Sequence, residues 1–277
     1  MSLIDLFWIF IIFAMFQPWL AQQWMQSARV RRISALEKKR GTRVITLVHH
    51  QETMRMLGFP LVRYIDIHDS EAVIRAIHMT SKNVPIDLVL HTPGGLVLAS
   101  LQIARALRAH PSQVTVFVPH YAMSGGTLIA LAADRIIMSE HAVLGPIDPQ
   151  LGQFPAASIL RAVAAKPKEK LDDETLILAD VAQKALVQLR RSAADLLQRT
   201  LAPDRAEEVS DLLSSGSWTH DYPISADEAQ ALGLPVDTAI PEDIHELMAL
   251  YPQPRGQVAG VEYLPIFRDR RFPQKGK

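Results

Sequence analysis

Tyr121-Ala-Met-Ser-Gly-Gly-Thr-Leu-Ile-Ala-Leu-Ala-Ala-Asp134 is the stretch that decides how this chain is read. It follows the apolar run Val114-Thr-Val-Phe-Val118, which predicts a buried strand, and it opens the apolar segment Thr127 to Ala133, which predicts a helix. Ser124 therefore stands at a strand-to-helix turn, followed by Gly125 and Gly126. At a helix N-terminus, unsatisfied backbone N–H groups and the helix dipole favour negative charge. Acyl transfer needs that setting, because a nucleophilic hydroxyl must lie beside donors for a developing oxyanion. A second glycine turn, His91-Thr-Pro-Gly-Gly95, ends the preceding predicted strand, Ile86-Asp-Leu-Val-Leu90. Two such turns at the ends of successive strands predict one site built from both.

The pattern extends in both directions from these turns. Upstream, Arg43-Val-Ile-Thr-Leu-Val48 and Ile65-Asp-Ile67 predict strands, and Asp69 to His78 predicts a helix with an Asp or Ser cap. Val97 to Arg108 predicts another helix. Downstream, Arg135-Ile-Ile-Met138 and Ala142-Val-Leu144 predict short strands, and residues 172 to 199 a long helix. A helix over Ala206 to Leu213 follows Pro203, and Ser225 to Gly233 reads as a short capped helix. Strands alternating with helices indicate an α/β fold of parallel βαβ units, whose sites lie at the carboxyl ends of the strands. No internal repeat is visible.

Composition narrows the chemistry. The 277 residues have zero formal net charge, which gives no support for nucleic acid as a partner. There is no cysteine, which excludes disulfides, a thiol nucleophile and thiolate metal sites. His49, His50, His68, His78 and His91 do not form a compact ligand spacing, and no His-Glu-x-x-His pattern occurs, so no metal is expected.

The N-terminus differs in composition from the rest. Leu6-Phe-Trp-Ile-Phe-Ile-Ile-Phe-Ala-Met-Phe16 is uninterrupted apolar sequence, and Met1 to Leu20 approaches the roughly 20 residues a spanning helix needs. Asp5 and Gln17 would then lie at the interfaces, with Trp8 and Trp19 as anchors. The basic residues Arg29, Arg31, Arg32, Lys38, Lys39 and Arg40 come after the run, which favours an uncleaved single-pass anchor over a signal peptide. They also put the following domain on the cytoplasmic side of the cell membrane. The expected organisation is an anchor over 1–24, a juxtamembrane linker over 25–42, an α/β domain over 43–250, and a charged, disordered tail over 251–277.

These blocks also carry a family resemblance. His91-Thr-Pro-Gly-Gly95, Ala122-Met-Ser-Gly-Gly126, Ala133-Asp-Arg-Ile136 and Ser225-Ala-Asp-Glu-Ala229 resemble the matching blocks of signal peptide peptidase A and the Clp protease proteolytic subunit, in the Clp/crotonase superfamily. Val44 to Thr53, Tyr64-Ile-Asp-Ile-His-Asp-Ser-Glu71 and Trp218-Thr-His-Asp-Tyr-Pro-Ile224 are more specifically similar to the membrane-anchored serine dehydrogenase proteinase family. The resemblance spans roughly residues 43 to 240. It implies a Clp/crotonase-like fold of repeated ββα/βαβ units with Ser124 as nucleophile. It assigns oxyanion donors to the Pro-Gly-Gly turn and to the residue after the serine, that is Gly94, Gly95 and Gly125.

The base is left open at this stage. A Clp-type histidine would fall near Gly145-Pro-Ile-Asp148, where none stands, and His141 comes too early. Resemblance to signal peptide peptidase A nominates Lys166 instead, ahead of Lys168 and Lys170. The block before Ser225 places Asp221 on the Clp triad aspartate and offers His220 as a base; the turn there can equally be purely structural. The expected function is a membrane-anchored serine endopeptidase acting without a cofactor on peptide or membrane-protein substrates. By resemblance it is a homo-oligomer, with the helix over 172–199 as a candidate interface. A non-catalytic membrane scaffold and a crotonase-type acyl-CoA enzyme are the competing expectations. No Gly-x-Gly-x-x-Gly follows a strand, so a dehydrogenase is not expected.

Overall fold

The computed structural model describes residues 3–49, 54–56, 59–61 and 63–251. The side chains of 3–7, 9–15, 18, 19, 21, 54–56 and 59–61 are not among those described, and the expected tail beyond Tyr251 lies outside the described residues. A long helix α1 (Leu3–Arg40) leads into β1 (Arg43–Val48), the hairpin β2 (Met54–Met56) and β3 (Phe59–Leu61), and α2 (Ile67–His78). Two βα units follow: β4 (Ile86–His91) with α3 (Val97–Arg108), then β5 (Val114–Val118), β6 (Tyr121–Ala122) and α4 (Gly125–Ala130). β7 (Arg135–Met138), β8 (Val143–Leu144) and the hairpin β9 (Gln150–Leu151) and β10 (Phe154–Pro155) precede α5 (Ala156–Ala164) and α6 (Asp173–Leu197). The described chain closes with α7 (Pro203–Ser214), β11 (Ile224–Ser225), α8 (Ala226–Ala231), β12 (Val236–Asp237) and α9 (Glu242–Ala249).

The main sheet is parallel throughout, in the order β1-β4-β5-β7-β12. Every residue of β4 and β5 is buried, the pattern of strands covered on both faces. Successive side chains divide between two cores, as the two-residue strand period requires. Ile45, Leu47, Leu88, Leu90, Val116, Val118, Ile136 and Met138 pack with Val73, Ile77, Ile103 and Leu128 from α2, α3 and α4. The intervening Val44, Val89, Phe117 and Ile137 pack on the other face with Leu36 of α1 and with Ile244 and Leu247 of α9. A three-stranded sheet, β11-β8-β6, stands beside the carboxyl edge of the main sheet, joined to it by a bridge between Thr92 and Ala122.

α1 runs unbroken through most of the expected linker, and its last turns belong to the domain. Leu36 is buried, and Arg40 pairs with Asp87, itself buried at the start of β4. Thr42 Oγ1 donates to the same carboxylate at 2.7 Å, and the Arg40 guanidinium lies 4.9 Å over the Phe117 ring. Gly41, with φ 67, ends the helix through its N–H bond to the Glu37 carbonyl. Among the described residues, no helix is long and apolar enough to cross a membrane.

Several expected boundaries move, two of them beside the glycine turns. Ile65 forms only a bridge to Gly95, because Asp66 caps α2 in a reciprocal box with Asp69, so the helix begins at Ile67. The helix after Ser124 begins at Gly125, two residues before the expected start at Thr127.

Candidate active site

Ser124 is the one non-glycine residue with positive φ among the described residues, at φ 51 and ψ −114. A side chain held there carries on the order of 1–3 kcal/mol of backbone strain, and such strain clusters at functional positions. The surroundings over-determine the turn. Gly126 N–H donates to the Met123 carbonyl at 2.7 Å, and Leu128 N–H to the Ser124 carbonyl at 3.2 Å. Thr92 N–H donates to the Tyr121 carbonyl, and Met123 N–H to the Thr92 carbonyl, which splices the turn to the end of β4. The Ser124 hydroxyl makes no capping bond to α4, so the helix does not use it.

The two glycine turns are in contact. A Cβ on Gly94 would lie 2.8 Å from Ser124 Cβ and 2.9 Å from the Met123 carbonyl oxygen. A Cβ on Gly125 would lie 3.4 Å from Gly95 N and only 2.2 Å from the buried Ser100 hydroxyl, so residue 125 has no room for a side chain. Gly94 N–H is engaged by Thr92 Oγ1 at 3.2 Å. The N–H groups of Gly95 and Gly125 donate to nothing among the described residues. Two uncommitted donors thus adjoin one strained serine, the arrangement that oxyanion stabilisation calls for.

The candidate bases fall in different places. Lys166 is exposed just beyond α5, in a groove with Phe154, Ile159, Val163 and Leu171, and no residue of the two glycine turns lines that groove. Lys168 and Lys170 are also exposed. A lysine base depends on burial to favour its neutral form, and Lys166 has none. His220 is half-buried, and its Nδ1 lies 2.8 Å from Oδ1 of Asp148, a carboxylate that is almost wholly buried. Gln150 Nε2 donates to the other oxygen at 2.6 Å. Asp221, in the same turn, is exposed and makes no side-chain hydrogen bond among the described residues. Trp218 stacks on Tyr222 at 5.2 Å, and Tyr222 donates to Glu228, which holds the turn that carries His220.

Register brings this pair toward Ser124. β8 lies between β6, which leads into Ser124, and β11, which follows His220; Leu144 is the partner of both Ala122 and Ile224. Gly145 packs against Met123, and Thr127 Oγ1 donates to its carbonyl at 2.8 Å. One strand, β8, separates β6 from β11, which sets Ala122 and Ile224 about 10 Å apart at the usual spacing.

Behind the Pro-Gly-Gly turn lies a second polar group that the sequence did not reveal. His49 is buried, with Nδ1 3.1 Å from Thr92 Oγ1 and Nε2 3.2 Å from Asp69 Oδ2. Burial alone would raise the Asp69 carboxyl, but hydrogen bonds from His49 and from the Asp66 backbone N–H outweigh it and hold the group below its usual value. Among the described residues, no group of three or more His, Asp or Glu is placed to hold a metal ion.

A groove of about 770 Å³ opens between α3, α6 and the β9 segment, and no residue of the two glycine turns lines it. It is lined by Val97 and Leu101 of α3, Pro149 to Leu151, and Leu189 of α6.

Two uncharacterized proteins of Methanocaldococcus jannaschii are similar along nearly their whole length. One is 51% identical over 94% of this chain and 91% of its own, the other 47% identical over 99% and 94%. Among solved structures, a serine-to-alanine mutant of the 1510-N membrane-bound stomatin-specific protease matches at 20% identity and a TM-score of 0.43, over 68% of this chain and 79% of that one. The model of one family matches residues 1–276, and the chain belongs to that family: the ClpP-like SDH-type serine proteinases.

Proposed function

We propose that this chain is a membrane-anchored serine endopeptidase whose nucleophile is Ser124. The observation that carries the proposal is the contact between the strained Ser124 turn and the Gly94-Gly95 turn, with two uncommitted N–H donors beside the hydroxyl. Ser124 Oγ attacks the scissile carbonyl carbon and passes its proton to His220 Nε2. Asp148 accepts from Nδ1 and so fixes the tautomer in which Nε2 is free to act as base. The N–H groups of Gly95 and Gly125 receive the oxyanion. Collapse of the tetrahedral intermediate expels the amine, which takes the proton from His220, and water then hydrolyses the acyl-enzyme by the reverse sequence of transfers. No step calls for a cofactor.

The apolar run Leu6 to Phe16 and the exposure of Trp8, Phe16, Leu20 and Trp24 on α1 support an anchor, and the basic residues Arg29 to Arg40 that follow support a cytoplasmic catalytic domain. Exposed Leu176, Ile177, Val181 and Val187 on α6 support self-association through that helix. The test is hydrolysis of a quenched fluorescent peptide library by the full chain in detergent micelles, wild type beside Ser124→Ala. Cleavage that vanishes in the variant supports the proposal. Unchanged turnover of an acyl-CoA in Ser124→Ala favours a crotonase-type enzyme, and absence of any hydrolysis favours a scaffold.

A further inference from the structure

Three side chains that the catalytic proposal does not use meet at one point. Val44 to Thr53 contributes His49, Tyr64 to Glu71 contributes Asp69, and the Pro-Gly-Gly block contributes Thr92. Their side chains form a chain of contacts 3.2 Å and 3.1 Å long, from Asp69 Oδ2 through the His49 ring to Thr92 Oγ1. Thr92 has no solvent exposure and His49 almost none, so their polar atoms must find partners within the protein.

The proton positions follow from the partners. Asp69 as a carboxylate only accepts, so His49 Nε2 carries a hydrogen toward it. Thr92 Oγ1 carries one hydrogen, with His49 Nδ1 at 3.1 Å and the Gly94 carbonyl at 3.4 Å as its neighbours. That leaves the Thr92 oxygen to accept the Gly94 N–H at 3.2 Å. Gly94 is fixed on its other side, where its carbonyl accepts Ile65 N–H at 2.8 Å. The main chain of Thr92 is in turn bonded to Tyr121 and Met123, next to Ser124. Thr92 is therefore the joint between the nucleophile turn and the Gly94-Gly95 turn.

From this geometry we infer that Asp69, His49 and Thr92 act as positioning residues: they lock Gly94 so that Gly95 N–H is held where the oxyanion forms. The inference rests on the serine hydrolase reading. None of the three touches substrate, so their loss acts on the transition state more than on ground-state binding.

The test uses the full chain in micelles, with the rate of fluorophosphonate labelling and kcat and KM for a cleaved peptide as readouts. Thr92→Val keeps the shape and removes the hydroxyl; His49→Gln keeps a polar side chain; Thr92→Ser restores the hydroxyl. Misplacing a reacting group by an ångström slows reactions by up to about a hundredfold. Thr92→Val and His49→Gln are expected to slow labelling and kcat at least about tenfold, with KM within about threefold of wild type. Thr92→Ser is expected to recover most of the rate. Circular dichroism confirms which variants are folded, and Asp69→Asn replaces any that is not. Wild-type rates in folded Thr92→Val and His49→Gln, with wild type itself labelled, overturn the inference alone. An unlabelled wild type overturns it together with the hydrolase reading.

Discussion

His220 Nδ1 lies 2.8 Å from Asp148 Oδ1, although 72 residues separate the two in sequence. β11 and β8 run antiparallel, so the segment before Ile224 passes alongside the one after Leu144 and brings the pair together. The carboxylate is buried and the imidazole half-exposed, the disposition of an orienting acid behind a working base.

Asp148→Asn is therefore expected to lower kcat by about a hundredfold or more, because the amide no longer enforces the required tautomer. His220→Ala should fall at least as far, while Lys166→Ala should stay within about threefold of wild type. Steady-state peptide hydrolysis by the three variants checks the assignment. The reverse pattern, with Lys166→Ala inactive and His220→Ala active, would move the base to the lysine.

Ser124 holds a backbone conformation suited to glycine. Ser124→Gly should raise stability by about 1 kcal/mol and Ser124→Ala should not, while both abolish hydrolysis. Urea midpoints of the two variants, measured together, separate relief of strain from loss of the hydroxyl.

Gly95 has φ 157, and a Cβ there would lie 2.3 Å from the Ile65 N and O atoms, which are backbone and cannot swing away. Gly95→Ala should destabilise the domain by about 2 kcal/mol or more and eliminate activity. Gly152, at φ 65 with open space around its would-be Cβ, is the control: Gly152→Ala should lose only about 1 kcal/mol and keep full activity.

The docked end of α1 predicts that the folded unit begins before β1. Leu36→Ala should destabilise the domain by about 2–4 kcal/mol. A chain starting at residue 25 should unfold cooperatively, whereas one starting at residue 43 should lose that cooperativity, since Val44, Val89, Phe117 and Ile137 lose the cover of Leu36. Chemical denaturation followed by tryptophan fluorescence distinguishes the two.

Asp69 is held below its usual value in the folded protein. Its contribution to stability is complete above about pH 4, the unfolded value, and is lost as the pH falls through the lowered folded value. Urea midpoints recorded down to about pH 3 should fall less steeply for Asp69→Asn than for wild type.

Much of this was legible from local pattern. Val97 to Arg108, Val114 to Val118 and Arg135 to Met138 match their elements to the residue, because buried parallel strands are short apolar runs and the helix between them is amphipathic. Ser225 announced α8 through its capping box with Glu228. Ile65 to Ile67 was not legible as a helix start, because a capping aspartate inside an apolar triplet looks like strand alternation. α5 and α9 were not expected: each is short, and neither opens on a side-chain cap bond. At the site, the contact of the two glycine turns followed from strand order. Asp148 stood in plain view at the place where a Clp-type histidine was sought, but pairing it with His220 needs the β8–β11 register, which lies in tertiary structure. Asp69, His49 and Thr92 were hidden for the same reason, since each sits in a separate block.

The most direct test of Ser124 as an activated nucleophile is intact-protein mass spectrometry of the full chain after treatment with a fluorophosphonate. One adduct per chain, mapped to Ser124 and absent in Ser124→Ala, is the predicted result. A folded wild-type protein that takes up no adduct, or takes it up equally in Ser124→Ala, would contradict the account.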